Sequence, residues 1–379
     1  MGITRHPLIT RRTFFGTATG LATTGLAAGC TLPGGRAERA ARGATSFALT
    51  GGGANAVRLT VPALAHDLRL FVIGDTHFAF HDARDAAYAD FYKRMAQWPA
   101  PREPFEKMLA KARAERPDLL LLVGDNLSFP TLANVDYLAA QLSASGLDWY
   151  YVAGNHDWHF EGVPGSDEAQ RAEWAPKRLA PLYRGRDPFM SSRVVKGVRF
   201  VAIDNSIYHV SEAQLAFWKA EAAKGDPTVL FMHIPLWLPG WGLFTCGNPD
   251  WGAARDPYAT IERRETWAPR QSPSTFAFRD AVLGTPNLVG VFTGHEHTLM
   301  AGAERGKFLF SVPSNRDGAF LDVSLAWVQV RRPAAPRPVG DALVAQGRGG
   351  ASSDKGALQV GAARRVPQLA RQGSGTGRL

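Results

Sequence analysis

With 379 residues, 45% of them hydrophobic and 20% charged, the chain has ample material for a large core, which excludes a wholly disordered or fibrous protein. Its two cysteines, Cys30 and Cys246, exclude a disulfide scaffold and a thiolate zinc cluster, so any metal has to be held by His, Asp, Glu or Asn. The formal charge of +9 sits in the ends, +5 over residues 1–45 (six Arg, one Glu) and +7 over residues 331–379 (eight Arg, one Lys, two Asp), leaving −3 for the middle and no general attraction for nucleic acid.

The chain opens with Arg11-Arg12, then Phe14-Phe15 and an uncharged run of Ala, Gly and Thr to Gly29. Residues 1–30 read as a targeting segment that resembles a twin-arginine export signal, and the run is too short and too rich in Gly and Thr for a membrane span. The implied location is periplasmic or at the cell surface. Leu26 to Cys30 is similar to a lipoprotein processing site, except that Ala27 stands where such sites usually have Leu. Lipidation at Cys30, which would anchor the protein to a membrane, and simple cleavage nearby therefore both stay open. Residues 31–55 read as a linker of small residues.

From about residue 56 short apolar runs alternate with helical stretches. Strands are expected at 68–73, 119–123, 149–153, 198–203, 228–232 and 288–292, with 308–312 and 319–330 as a closing hairpin. The spacing of Phe105, Met108, Leu109 and Ala112 predicts a helix over 105–116, bounded by Pro104 and Pro117. A second helix is expected over 211–224, with Ser211 and Gln214 forming a capping box. Strands interleaved with helices over 56–330 predict a layered α/β domain.

Each of the first three strands runs directly into polar residues: Gly74-Asp75-Thr76-His77, Gly124-Asp125-Asn126 and Gly154-Asn155-His156-Asp157. Two later strands do the same, with His233 in one and Gly294-His295-Glu296-His297 after the other. In α/β sheets ligands gather outside the carboxyl ends of strands, so these five segments should meet in one cleft. Asp75, His77, Asp125, Asn155, His233, His295 and His297 offer only nitrogen and oxygen donors, which suits Mn, Fe or Zn. Seven donors are too many for one tetrahedral ion and suit two ions sharing one carboxylate. A lone histidine or aspartate after a strand is more often structural, capping a helix or satisfying a loop. Five of the ten histidines fall inside these blocks, however, and that clustering favours ligation.

In their order and spacing these five blocks resemble the signature of the calcineurin-like metallophosphoesterases, D-x-H, G-D, G-N-H-[DE], H and G-H-x-H, over residues 68–330. The resemblance implies a four-layer αββα sandwich with the metal site at the strand ends. It implies a first ion on Asp75, His77 and His297, a second on Asn155, His233 and His295, and Asp125 bridging the two. It further implies an attacking hydroxide between the ions, with His156 assisting the departing oxygen and Asp157 orienting the His156 ring. His77 in place of a tyrosine separates the chain from purple acid phosphatases. The expected activity is hydrolysis of small phosphate mono- or diesters, with no obligatory protein partner. A non-catalytic surface binding protein on the same fold is the alternative, which loss of ligands would favour; none is missing.

Other polar residues gain no such support. His81, His159 and His209 could reach a substrate but read as loop residues, and Asp204 reads as a turn or cap. An insertion over about 236–280 carries Trp237, Trp241, Trp251 and Trp267, which would either face a substrate or pin the loop to its own domain. Cys246 within it is expected to be buried rather than reactive. Residues 331–379 mix Pro, Gly, Ala, Ser and Arg without period and read as a basic disordered tail.

Overall fold

Continuous apolar runs such as Leu119–Val123, buried at every position, form strands that are covered on both faces. The computed structural model describes residues 47–50, 55–61, 64–97, 99–241, 245–251 and 270–326. The segment expected to be an export signal, Cys30, Trp267 and the expected basic tail lie outside the described residues.

Twelve strands among the described residues form two six-stranded sheets. The first holds β1 (Phe47–Thr50), β2 (Asn55–Thr60), β12 (Leu321–Ala326), β3 (Leu68–Ile73), β4 (Leu119–Val123) and β5 (Trp149–Val152), in that spatial order. In the second the order is β10 (Met300–Glu304), β11 (Lys307–Ser311), β9 (Leu288–Thr293), β8 (Thr228–Phe231), β7 (Val198–Ile203) and β6 (Met190–Val195). The centres are parallel, β3-β4-β5 in one sheet and β7-β8-β9-β11 in the other, while β1, β6 and β10 close edges antiparallel.

Alternation along the strands divides the core. Leu70, Val72, Leu119 and Leu121 of the first sheet pack against Phe200, Val229, Phe231 and Phe292 of the second. Phe71, Ile73, Leu120 and Leu122 face outward onto α1 (Arg102–Glu115) and α2 (Leu132–Ser145). The outer face of the second sheet, through Val201, Leu230 and Val291, is covered by α4 (Glu212–Ala222) and α5 (Pro273–Gly284); α3 (Asp167–Arg178) precedes β6. The result is the expected αββα sandwich. No helix among the described residues is long and apolar enough to cross a membrane.

Three local expectations need correcting. Residues 307–311 and 321–326 are not a hairpin: β11 pairs with β9 and β10, whereas β12 crosses to the other sheet and pairs with β2 and β3. Helix α1 begins at Arg102, because Pro104 in a first turn forfeits an amide that has no intrahelical partner there anyway. Phe47–Thr50, inside the expected linker, pair antiparallel with β2. The capping box of α4 is present, Ser211 Oγ accepting from Gln214 N and Gln214 Oε1 from Ser211 N.

Candidate metal centre

The predicted donors all follow the carboxyl ends of parallel strands: Asp75 and His77 after β3, Asp125 after β4, Asn155 after β5, His233 after β8, and His295 and His297 after β9. The loops bond to one another. Asp75 N donates to Gly124 O, His77 N to Asp125 O and Gly294 N to His233 O. The Asp75 carboxylate accepts from His295 N at 2.9 and 3.0 Å, and Asp125 Oδ1 accepts from His156 N at 2.8 Å. Each such bond joins two loops that lie far apart in sequence.

Five of the seven donors have left-handed backbones, with φ of 56° at Asp75 and at His77, 49° at Asp125, 75° at His295 and 55° at His297. Such conformations are uncommon outside glycine and gather at functional sites where the surroundings enforce them. Gly294 makes the close approach possible, since a Cβ there would stand 2.6 Å from Asp75 Oδ2.

The donor atoms fall into two groups. In the first, Asp75, His77 and His297 converge, with the two histidine Nε2 atoms 3.0 Å apart and His297 Nε2 3.4 Å from Asp75 Oδ1. In the second, His233 Nε2 lies 3.1 Å from Asp125 Oδ2, 3.1 Å from Asn155 Oδ1 and 3.2 Å from His295 Nδ1. Asp125 Oδ2 is also 3.9 Å from His77 Nε2, which puts this carboxylate between the groups. His233 Nδ1 donates to Val123 O at 2.8 Å, which turns Nε2 toward the cluster, where Asp125 outweighs burial and raises the imidazole to about 9.

The electrostatics are those of a site short of positive charge. Burial pushes the Asp75 carboxyl up, helped by Asp125. Burial also opposes ionisation of Asp125, but His233 and His156 outweigh it and hold its carboxyl well below the usual range. Burial drops the His77 imidazole to about 4 and lowers His297 as well, so both rings are neutral and present lone pairs at neutral pH. Neutral imidazoles turned toward each other beside buried carboxylates fit a pair of cations, and the all nitrogen and oxygen donor set fits Mn, Fe or Zn.

His156 sits beside the first group, its ring 5.2 Å from that of His77 in an edge-on arrangement. The two oxygens of Asp157 accept from Leu127 N at 2.8 Å and Gly154 N at 2.7 Å, which ties the Asp125 loop to the Asn155 loop. Burial, with Asp125 nearby, raises its carboxyl to about 7.

His81 is exposed against Tyr92, and His209 Nδ1 accepts from Ser272 N at the edge of a cavity of about 460 Å³ lined also by Ser166 and Arg171. His159 is buried against Trp158, and Asp204 Oδ1 accepts from Ser206 N, as a turn residue does. Trp251 is buried with its ring 4.9 Å from that of Tyr208, and Cys246 is a buried thiol whose pKa is raised by burial. Sequence reasoning missed Tyr208, whose hydroxyl lies 2.7 Å from His295 Nε2, and Ser314, whose Oγ donates to Asp75 O at 2.6 Å. Ser314 stands close behind the end of β11, a signal that could have pointed to it, whereas Tyr208 lies in the middle of the loop after β7.

A family model described as calcineurin-like phosphoesterase matches residues 68–299. Among solved structures, a dimetal phosphatase from Danio rerio is similar at 14% identity and a TM-score of 0.41, covering 66% of this chain and 88% of that one. A purple acid phosphatase from yellow lupin (Lupinus luteus) seeds is similar at 12% identity and a TM-score of 0.41, covering 73% of this chain and 49% of that one. A phosphopantetheinyl hydrolase from Mycobacterium tuberculosis is similar at 14% identity and a TM-score of 0.33, covering 67% of this chain and 92% of that one. No curated protein matches the chain.

Proposed function

The chain belongs to the calcineurin-like phosphoesterase family, and from that premise we propose that it is an exported, metal-dependent hydrolase of small phosphate mono- or diesters. The observation that carries this reading is the pair of donor groups, Asp75-His77-His297 and Asp125-His233-His295, with Asn155 beside the second and Asp125 between them.

Asp75, His77 and His297 would hold one ion, Asn155, His233 and His295 the other, and Asp125 would serve both. Two bound cations would supply a water made acidic enough to attack at neutral pH and would neutralise charge on the phosphoryl oxygens. Val123 O fixes the His233 tautomer, and the amides of His295 and His156 hold Asp75 and Asp125 in place. His156, whose ring lies 5.2 Å from that of His77, would bind a phosphoryl oxygen and hand a proton to the departing oxygen. Asp157 keeps the loop carrying Asn155 and His156 at a fixed distance from the Asp125 loop.

Export rests on Arg11-Arg12 and the short apolar run behind them, with Cys30 as a lipid attachment point if that site is used. The mildly acidic middle of the chain supports a small substrate over a nucleic acid. Metal analysis followed by turnover of an aryl phosphate and an aryl diester, each with Mn, Fe and Zn, tests the reading. Expected is two ions per chain and a turnover that His156→Ala lowers by about 10²–10⁴-fold. A loaded wild type no faster than His156→Ala and Asp125→Asn across the panel would sink the enzyme; export unchanged by Lys-Lys in place of Arg11-Arg12 would sink the route.

A further inference from the structure

We infer that Tyr208 is a positioning residue for the second donor group, holding the His295 ring in the one tautomer that turns a lone pair toward Asp125 and His233. This rests on the two-metal reading above and deepens it. An imidazole that ligates through one nitrogen carries its proton on the other, and whatever accepts that proton fixes both tautomer and ring angle. His295 Nδ1 faces His233 Nε2 at 3.2 Å, so the proton belongs on Nε2, which donates to the Tyr208 hydroxyl 2.7 Å away. His233 uses the same device with its nitrogens exchanged: Nδ1 donates to Val123 O and Nε2 faces the group. One ligand is thus oriented by a backbone carbonyl, which no substitution removes. The other is oriented by a phenol that a single substitution deletes.

Tyr208 is built to stay where it is. Its backbone sits at φ 63°, its amide donates to Asn205 O at 2.8 Å, and its carbonyl accepts from the Cys246 thiol at 3.5 Å. The Tyr208 ring packs on Trp251, which is itself buried. Cys246 in turn is laddered to the chain just beyond His233, Cys246 N donating to Pro235 O and Trp237 N to Cys246 O. The tryptophan-bearing segment 245–251 therefore bears on the metal centre through Tyr208, and Trp251 serves it as a packing surface.

Tyr208→Phe removes one oxygen and keeps the ring on Trp251. The probe is Mn(II) alone, loaded to two equivalents and withdrawn by graded chelator. Expected is loss of one equivalent at about 10–100-fold lower chelator than in the wild type, the other equivalent being held as before. His77→Ala should instead weaken the other equivalent. The kcat of Tyr208→Phe should recover with excess Mn(II) while KM stays near the wild-type value. Wild-type chelator resistance for both equivalents in Tyr208→Phe would overturn the inference. A measurement on the wild type needs no variant to fold: in the Zn(II)-loaded, ¹⁵N-histidine-labelled protein His295 should be protonated at Nε2, and protonation at Nδ1 would overturn it equally. A wild type that binds two ions and turns over, yet fails either test, removes only the role of Tyr208. A wild type that binds none removes the two-metal reading beneath it.

Discussion

His77 Nε2 and His297 Nε2 stand 3.0 Å apart, with Asp75 Oδ1 3.4 Å from the latter. Burial lowers the pKa of both imidazoles, so the pair is uncharged at neutral pH, and two ring nitrogens at this spacing beside a buried carboxylate can turn their lone pairs to one cation. The fold holds these groups in place, and a ligand that binds only the folded state stabilises it by mass action. Dialysis against chelator should therefore lower Tm, and Mn(II) at about 100 times its Kd should restore about 2.7 kcal/mol per ion. The double variant His77→Ala/His297→Ala should keep only the gain from the second group. An equal metal-dependent rise in the double variant, seen by calorimetry, would show that these two rings hold nothing.

Gly294 lies where β9 hands over to the His295 loop, and a methyl there would reach within 2.6 Å of Asp75 Oδ2 and 3.3 Å of His233 Nδ1. Those atoms cannot give way cheaply, since Asp75 is held by His295 N and His233 by Val123 O. Gly294→Ala should cost about 1–3 kcal/mol of stability through overpacking and weaken metal retention at the same time. Gly284, the last residue of α5, has open space around a Cβ, so Gly284→Ala should be neutral or slightly stabilising. Equal denaturation midpoints for the two variants would remove the steric argument.

The strands at 68–73 and 119–123 were legible because burial on both faces writes an apolar run ending at a glycine, unbroken in the second and broken only by Arg69 in the first. The seven donors were legible for the related reason that each stands within a few residues of such an end. Tyr208 was not, since it sits in the middle of the loop after β7 and meets His295 only when β7 and β9 take their places on either side of β8. Nor could the split of β11 and β12 be read, because a hairpin and a crossover between sheets share one local pattern. Nor did the sequence show that the Asp157 oxygens accept from the amides of Leu127 and Gly154, because the resemblance speaks only of His156 and Leu127 belongs to a different strand-end loop.

Cys246 is fully buried, its thiol donating to Tyr208 O, and burial raises its pKa to about 12. Only the thiolate alkylates, so the reactive fraction at pH 8 is negligible and grows only as pH approaches that value. In a Cys30→Ser variant, iodoacetamide at pH 8 should leave the native protein unlabelled and modify one thiol after denaturation. Rapid labelling of the native protein would mean that segment 245–251 opens.

Asp85 ties together three parts of the first layer. It is fully buried, with Oδ1 accepting from Arg178 Nη1 and Oδ2 from Leu132 N, each at 2.7 Å. Arg178 closes the last turn of α3 and stacks its guanidinium 5.1 Å from the Trp174 ring centre, while Leu132 opens α2. Asp85→Ala would leave a largely buried guanidinium without its counter-charge and an amide without its acceptor, at a cost of about 3–5 kcal/mol. Asp85→Asn keeps an acceptor for Leu132 N and should cost less, and adding Arg178→Met to Asp85→Ala should recover part of the loss by removing the stranded charge. Because the pair touches none of the seven donors, turnover per folded molecule should stay at the wild-type value in all three variants. Urea denaturation monitored by tryptophan fluorescence measures the costs. A double variant less stable than Asp85→Ala alone would mean that Arg178 stabilises through its stacking on Trp174 rather than through Asp85.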